Sequence, residues 1–130
     1  MATARDIVNS AIYDLGIVEP GGSVPAADAS TGLDKLNSMM SGLEAEGINL
    51  LWSDLTLNST FPLENKHRQG VEAMLAVRLS AIPAYSVSVN PEVKMMAIRG
   101  KQLLAADYKI SDKQRSPDGL LNFPSQRRYR

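Results

Sequence analysis

Cysteine is absent from this chain of 130 residues, which excludes disulfides and thiolate metal sites and leaves the redox compartment unread. Histidine occurs once, as His67, so a zinc site would have to be built mostly from carboxylates, and neither a metal nor a cofactor is expected. Two phenylalanines, one tryptophan and four tyrosines are few for a module that binds single strands by stacking bases on rings. No stretch approaches the roughly 18 consecutive apolar residues of a membrane span, and Met1 to Asp6 lacks the apolar run of a leader. The expectation is a soluble protein, made in the cytoplasm, with no membrane partner. Phosphate loops and nucleophile elbows are missing too: Gly21-Gly22 is not followed by Gly-Lys-Ser/Thr, and there is no Gly-x-Ser-x-Gly.

What the chain does have is a division of charge. Residues 1–65 hold two basic side chains (Arg5 and Lys35) against nine acidic ones, a balance of −7; residues 66–130 hold twelve against five, a balance of +7. The formal net charge of zero hides this polarity. A subunit that stacks head to tail, or threads a basic tail onto an acidic neighbour, can use such a split for steering and register.

The periodicity predicts a mainly α protein: a four-helix bundle-like domain over residues 1–110, with a short β-strand or hairpin arm, and an extended basic C-terminal tail over 111–130. Thr3 and Asp6 form a capping-box pattern, and Ala4, Ile7, Val8, Ala11, Ile12 and Leu15 follow at helical spacing up to Gly16. Pro25 can open a second helix, whose stripe Ala29, Leu33, Leu36, Met40 and Leu43 ends at Gly47. Leu55 to Phe61 alternates in places with period two and is expected to form a strand arm whose backbone pairs with a neighbouring subunit or stays solvated. A third helix is expected from about Asn65 to Pro83, and a fourth from Asn90-Pro91 to about Ile110.

Candidates for chemistry are sparse. His67 lies among charged residues at a helix start, where a solvated side chain is expected. Glu44 and Glu46 sit two apart and point to different sides of a helix end, a poor pair for glycoside hydrolysis, although a carboxylate pair formed in the fold, with Asp54 for example, stays open. Met40 and Met74 fall on apolar stripes and belong to the core, as Trp52 is expected to; Met39 and Met95 fall off the stripes and are expected to face a neighbouring subunit.

The order of elements resembles the head-to-tail adaptor proteins, or tail accessory factors, of short-tailed bacteriophages, related in fold to head-completion proteins. The resemblance rests on Ala11-Ile12-Tyr13-Asp14-Leu15-Gly16-Ile17, on Leu33-Asp34-Lys35-Leu36-Asn37-Ser38-Met39-Met40, on Glu46-Gly47-Ile48, on Leu79-Ser80-Ala81-Ile82-Pro83-Ala84-Tyr85 and on Gly100-Lys101-Gln102-Leu103-Leu104. It implies a non-enzymatic structural protein at the head-tail junction of the virion, forming a homo-oligomeric ring, a dodecamer, beneath the portal protein. Such a ring extends the channel through which packaged DNA passes non-specifically, and presents its far face to the tail nozzle or tube protein.

On this reading Arg115, Phe123, Arg127, Arg128, Tyr129 and Arg130 bind the portal, with arginines pairing to carboxylates and aromatics filling pockets; the bland alternative is a solvated tail. Leu55, Leu57 and Phe61 make intersubunit contacts. Lys94, Arg99 and Lys101 are candidates for the DNA channel wall, where charges need not read bases, or simply form a polar helix face. Two other functions compete: a small cell-wall hydrolase using two carboxylates, which predicts a carboxyl with a raised pKa in a cleft, and a DNA-binding helical regulator, which would need a basic recognition helix where the second helix is acidic.

Overall fold

A computed structural model describes residues 2–19, 21–85 and 87–109, and over these the protein is mainly helical. Four helices follow one another: α1 (Ala4–Asp14), α2 (Ala26–Ala45), α3 (Arg68–Ser80), entered through a 3-10 turn at Asn65–His67, and α4 (Pro91–Tyr108). The punctuation of the sequence accounts for their ends. Thr3 accepts a hydrogen bond from the Asp6 amide while Asp6 accepts one from the Thr3 amide, closing the capping box of α1. Gly16 (φ +75°) and Gly47 (φ +93°) take the left-handed conformation that ends α1 and α2, and Asn90 caps α4 by accepting from the Glu92 amide. Pro25 stands at the cap of α2 rather than inside its first turn, and α3 stops at Ser80, three residues before Pro83.

Helix α3 is the centre of the fold, packing against each of the other three helices. Its inward residues Val71, Ala73, Leu75, Ala76 and Leu79 meet Ile7, Val8, Ala11 and Ile12 of α1 and Leu36, Met40 and Leu43 of α2 in one core. Met39 also belongs to this core, at 7% exposure, and does not face outward as its place in the helical period suggested. The stripe of α2 is broad enough to include it because α2 contacts both α1 and α3.

Two close approaches set the helix spacing. A Cβ placed on Gly32 of α2 would lie 2.4 Å from Cγ1 of Val8 on α1. More severely, a Cβ on Gly100 of α4 would lie 2.5 Å from the Cα of Gly70 on α3, and one on Gly70 would lie 2.6 Å from the Cα of Gly100, so these two backbones touch with no side chain between them.

The expected strand arm is absent: among the described residues no strand forms, only two isolated antiparallel bridges, Thr3 with Thr60 and Ile48 with Lys109. The reason lies at the start of α1, whose first amide groups have no partners within the helix. The Ala4 amide donates to the Ser59 carbonyl at 2.8 Å and the Arg5 amide to the Leu57 carbonyl at 3.0 Å, while the Phe61 amide donates to the Ala2 carbonyl at 2.9 Å. The arm therefore pairs with its own chain. A tight turn at Thr56–Ser59 aims these carbonyls, and Asn37 of α2 holds the arm from behind, accepting from the Leu55 amide and the Trp52 indole and donating to the Leu55 carbonyl. Trp52 is half-buried against the core, as expected, with its ring edge-on to Phe61 at 6.4 Å.

The glycine contact makes a two-sided prediction. Gly100→Ala must push α3 and α4 apart and should lower stability by about 1–3 kcal/mol, whereas Gly42→Ala, on the α2 side of the cleft between α2 and α4 with nothing within 4 Å of the new Cβ among the described residues, should raise it by about 0.5–1 kcal/mol. Equilibrium denaturation of both variants checks the opposite signs.

Candidate functional site

The surface most unlike that of a self-contained domain lies on α4. Met95, Ile98 and Leu103 are 49%, 54% and 40% exposed on this one helix. Only Val93, Gly100 and Leu104 of α4 are buried, because a glycine-to-glycine crossing needs a narrow stripe. Leu51 is exposed as well, at 82%, and is the sole non-glycine residue with positive φ (54°) among the described residues. Backbone strain at an exposed leucine gains nothing for the isolated fold.

At about 100° per residue, Lys94 and Lys101 lie two turns apart on one flank of α4, and Arg99 lies some 140–160° away from them, between Met95 and Leu103. Lys101 is tied to Glu46 of α2 at 2.8 Å, whereas Arg99 lines a depression with Lys66, Gln69 and Met96 at the α3–α4 junction. The three channel candidates thus form no single row, and Lys66 rather than Lys101 is the neighbour of Arg99.

That junction holds the clearest departure from the sequence reading. His67 is not solvated but 2% exposed, its ring packed on Tyr108 at 5.4 Å and its Nε2 2.8 Å from Asp107. With the carboxylate accepting, Nε2 donates, and Nδ1 is buried with no hydrogen-bond partner among the described residues. Lys66 reaches the same Asp107 oxygen at 2.9 Å. Its ammonium is the main reason the Asp107 carboxyl stands below its usual range, with His67 assisting and partial desolvation opposing. Residue type and position gave no hint of this lock; only the pairing of the start of α3 with the end of α4 brings residues 67 and 107 together.

Elsewhere the polar groups are committed to holding the fold. Burial pushes Glu72 and Asp14 above the usual carboxylate range, and Asp14 pushes Glu72 further the same way, but Glu72 is clamped by Arg68 at 2.8 Å and also hydrogen-bonded by Ser10. Glu44 accepts from the Trp52 amide at 3.2 Å while Glu46 holds Lys101, so those two carboxylates serve different partners. Asp54 shares a polar depression with Asp34, Asn37, Ser38 and Ser41. Burial and the Asp28 carboxylate, 2.6 Å away, push the Tyr85 hydroxyl up to about 12, so it stays protonated and straps the α3–α4 loop to the first turn of α2. Among the described residues no group of three or more metal-ligating side chains comes together.

Of the intersubunit candidates, Leu55 and Leu57 are half-buried in the arm, and Phe61, at 4% exposure, has its ring in the core of its own chain, where it cannot serve as a contact for a neighbour. Met95 is exposed, consistent with its place off the apolar stripe. The portal-binding candidates Arg115, Phe123, Arg127, Arg128, Tyr129 and Arg130 lie outside the described residues. Compared with family models and with curated proteins, the sequence matches none. No helix of the described residues is long and apolar enough to cross a membrane.

The Asp107 lock has a pH signature. A carboxyl held below its unfolded value contributes stability that is present above about pH 4 and is lost as pH falls through the lower folded value. Asp107→Asn should therefore lower Tm at neutral pH, with the difference from the unaltered protein shrinking below about pH 4. Asp14 and Glu72, shifted the other way, are common to both proteins and cancel in this difference. Thermal melts of the pair at pH 3 to 7 measure it.

Proposed function

We propose that this chain is a structural head-to-tail adaptor of a tailed bacteriophage, with no chemistry of its own. A bundle-like helical domain, residues 1–110, assembles as a ring beneath the portal, and the basic segment 111–130 anchors each copy to the portal protein. The ring, a dodecamer in this reading, extends the DNA channel, retains packaged DNA and offers the tail protein its attachment surface.

The observation that carries the reading is the outer face of α4. A helix that packs on one principal neighbour and leaves Met95 and Leu103 in water has a surface suited to a partner. A closed ring of identical subunits needs two different, complementary surfaces on each copy. The charge division supplies a basis for that: α1, α2 and the arm belong to the acidic half, whereas Lys66 to Lys109 holds seven basic side chains against three acidic ones before the tail is counted. Contacts that are modest per subunit are multiplied around a ring.

The deciding experiment measures the mass of the purified protein, full length and truncated after Ile110, alone and mixed with isolated portal rings. The full-length protein should join the portal as a multiple-copy ring and the truncated one should not. If neither form binds and both stay monomeric, the adaptor reading fails, and assays on DNA and on peptidoglycan take its place.

A further inference from the structure

An open apolar groove of about 800 Å³ runs between α2 and α4 with α3 as its floor. Met39 and Leu43 form one wall, Met74 and Val77 the floor, and Ala97 and Ile98 the other wall, with the Glu46–Lys101 ion pair joining the two sides. The arrangement follows from the fold: α2 and α4 both pack on α3 but not substantially on each other, and the glycine crossing places α4 close against α3, where it leaves this cleft beside α2.

We infer that the groove is the docking site of the chain's own C-terminal segment, with Leu120, Leu121 and Phe123 as its apolar anchors. Three observations lead there. First, the described chain ends beside the groove: Lys109 pairs with Ile48, just past the end of α2, and the Asn49 amide donates to the Tyr108 carbonyl at 3.0 Å. Ala105, one turn before Lys109, already lines the groove. Second, the length suffices. Leu120 is eleven residues beyond Lys109, up to about 36 Å of extended chain, whereas the wall from Ala105 back to Ala97 is about 12 Å long. Third, the chemistry matches: Leu120-Leu121-Asn122-Phe123 is the one apolar cluster between Ser111 and Arg130, and the groove is lined mainly by apolar side chains. Tethering gives the segment an effective concentration in the millimolar range, so a weak intrinsic contact is enough. The inference stands on the groove and does not require the adaptor reading; where both hold, the groove is where the tail rests before a portal competes for it.

The lack of native cysteine makes the test direct. A single Asn122→Cys substitution in the full chain carries a nitroxide spin label, and the methionine methyl groups are observed by NMR. Docking predicts that Met39 and Met74, in the groove, relax at least threefold faster than in the same labelled chain carrying Leu121→Asp and Phe123→Asp, while Met95, on the outer face of α4, changes far less. These substitutions lie beyond the helical core, so unchanged shifts of the remaining methyl groups verify that the domain stays folded. Equal relaxation at Met39 and Met74 in the two chains overturns the inference. So does relaxation that arises only when spin-labelled chains are mixed with isotopically labelled, unmodified ones, since the occupant is then a second copy.

Discussion

The contact between Gly70 and Gly100 is the constraint on which the shape of this molecule depends. With no side chain at either position the backbones of α3 and α4 come together, and a single methyl group on either would collide with the other's Cα. From that point the neighbouring residues fall into place. His67 lies one turn before Gly70 and Asp107 two turns after Gly100, so the crossing brings imidazole and carboxylate to 2.8 Å, and Lys66 completes the lock from the surface. The same closeness narrows the buried stripe of α4 to Val93, Gly100 and Leu104, which leaves the outer face of the helix for other partners. The close backbone contact of α3 with α4 and the open outer surface of α4 thus have one cause.

The arm that leads into α3 is held by backbone hydrogen bonds as well as by side-chain packing. The arm from Leu55 to Phe61 spends its carbonyls on the first amides of α1, and Asn37 matches the polar groups of Leu55 from α2. An irregular segment is tolerated next to the core because its polar groups find partners there. Phe61 then closes the core beneath it and Trp52 covers the edge. The arm works as a cap for α1 rather than as the edge of a sheet.

Much of this was legible in the sequence, because helix ends carry local chemistry. Thr3 with Asp6, Gly16, Gly47 and Asn90 with Pro91 mark boundaries that the structure keeps within a residue or two. What was not legible is what depends on residues distant in sequence. Period-two alternation in Leu55 to Phe61 reflects residues turned toward and away from the core, which an extended arm bonded to a helix start produces as readily as a strand does. His67 sits among Lys66, Arg68 and Gln69, and its burial depends on Asp107, forty residues on. Gly70 and Gly100 each look like an ordinary helix weakness until they are found opposite one another. For the proposed adaptor role, the charge division and the basic cluster were readable from the sequence, whereas the exposed apolar residues of α4 required the fold.

Through the glycine crossing, α4 belongs to the same cooperative unit as α1–α3 and displays its outer face from a rigid base. Native-state hydrogen exchange across a denaturant series tests this most directly, because it gives the opening free energy of each helix separately. The most protected amides around Gly100 in α4 should exchange with the same free energy and denaturant dependence as those around Leu75 in α3. If the amides of Pro91–Tyr108 instead open together at a markedly lower free energy while α1–α3 stay protected, α4 is an independently docked element, and the crossing is not what organises this fold.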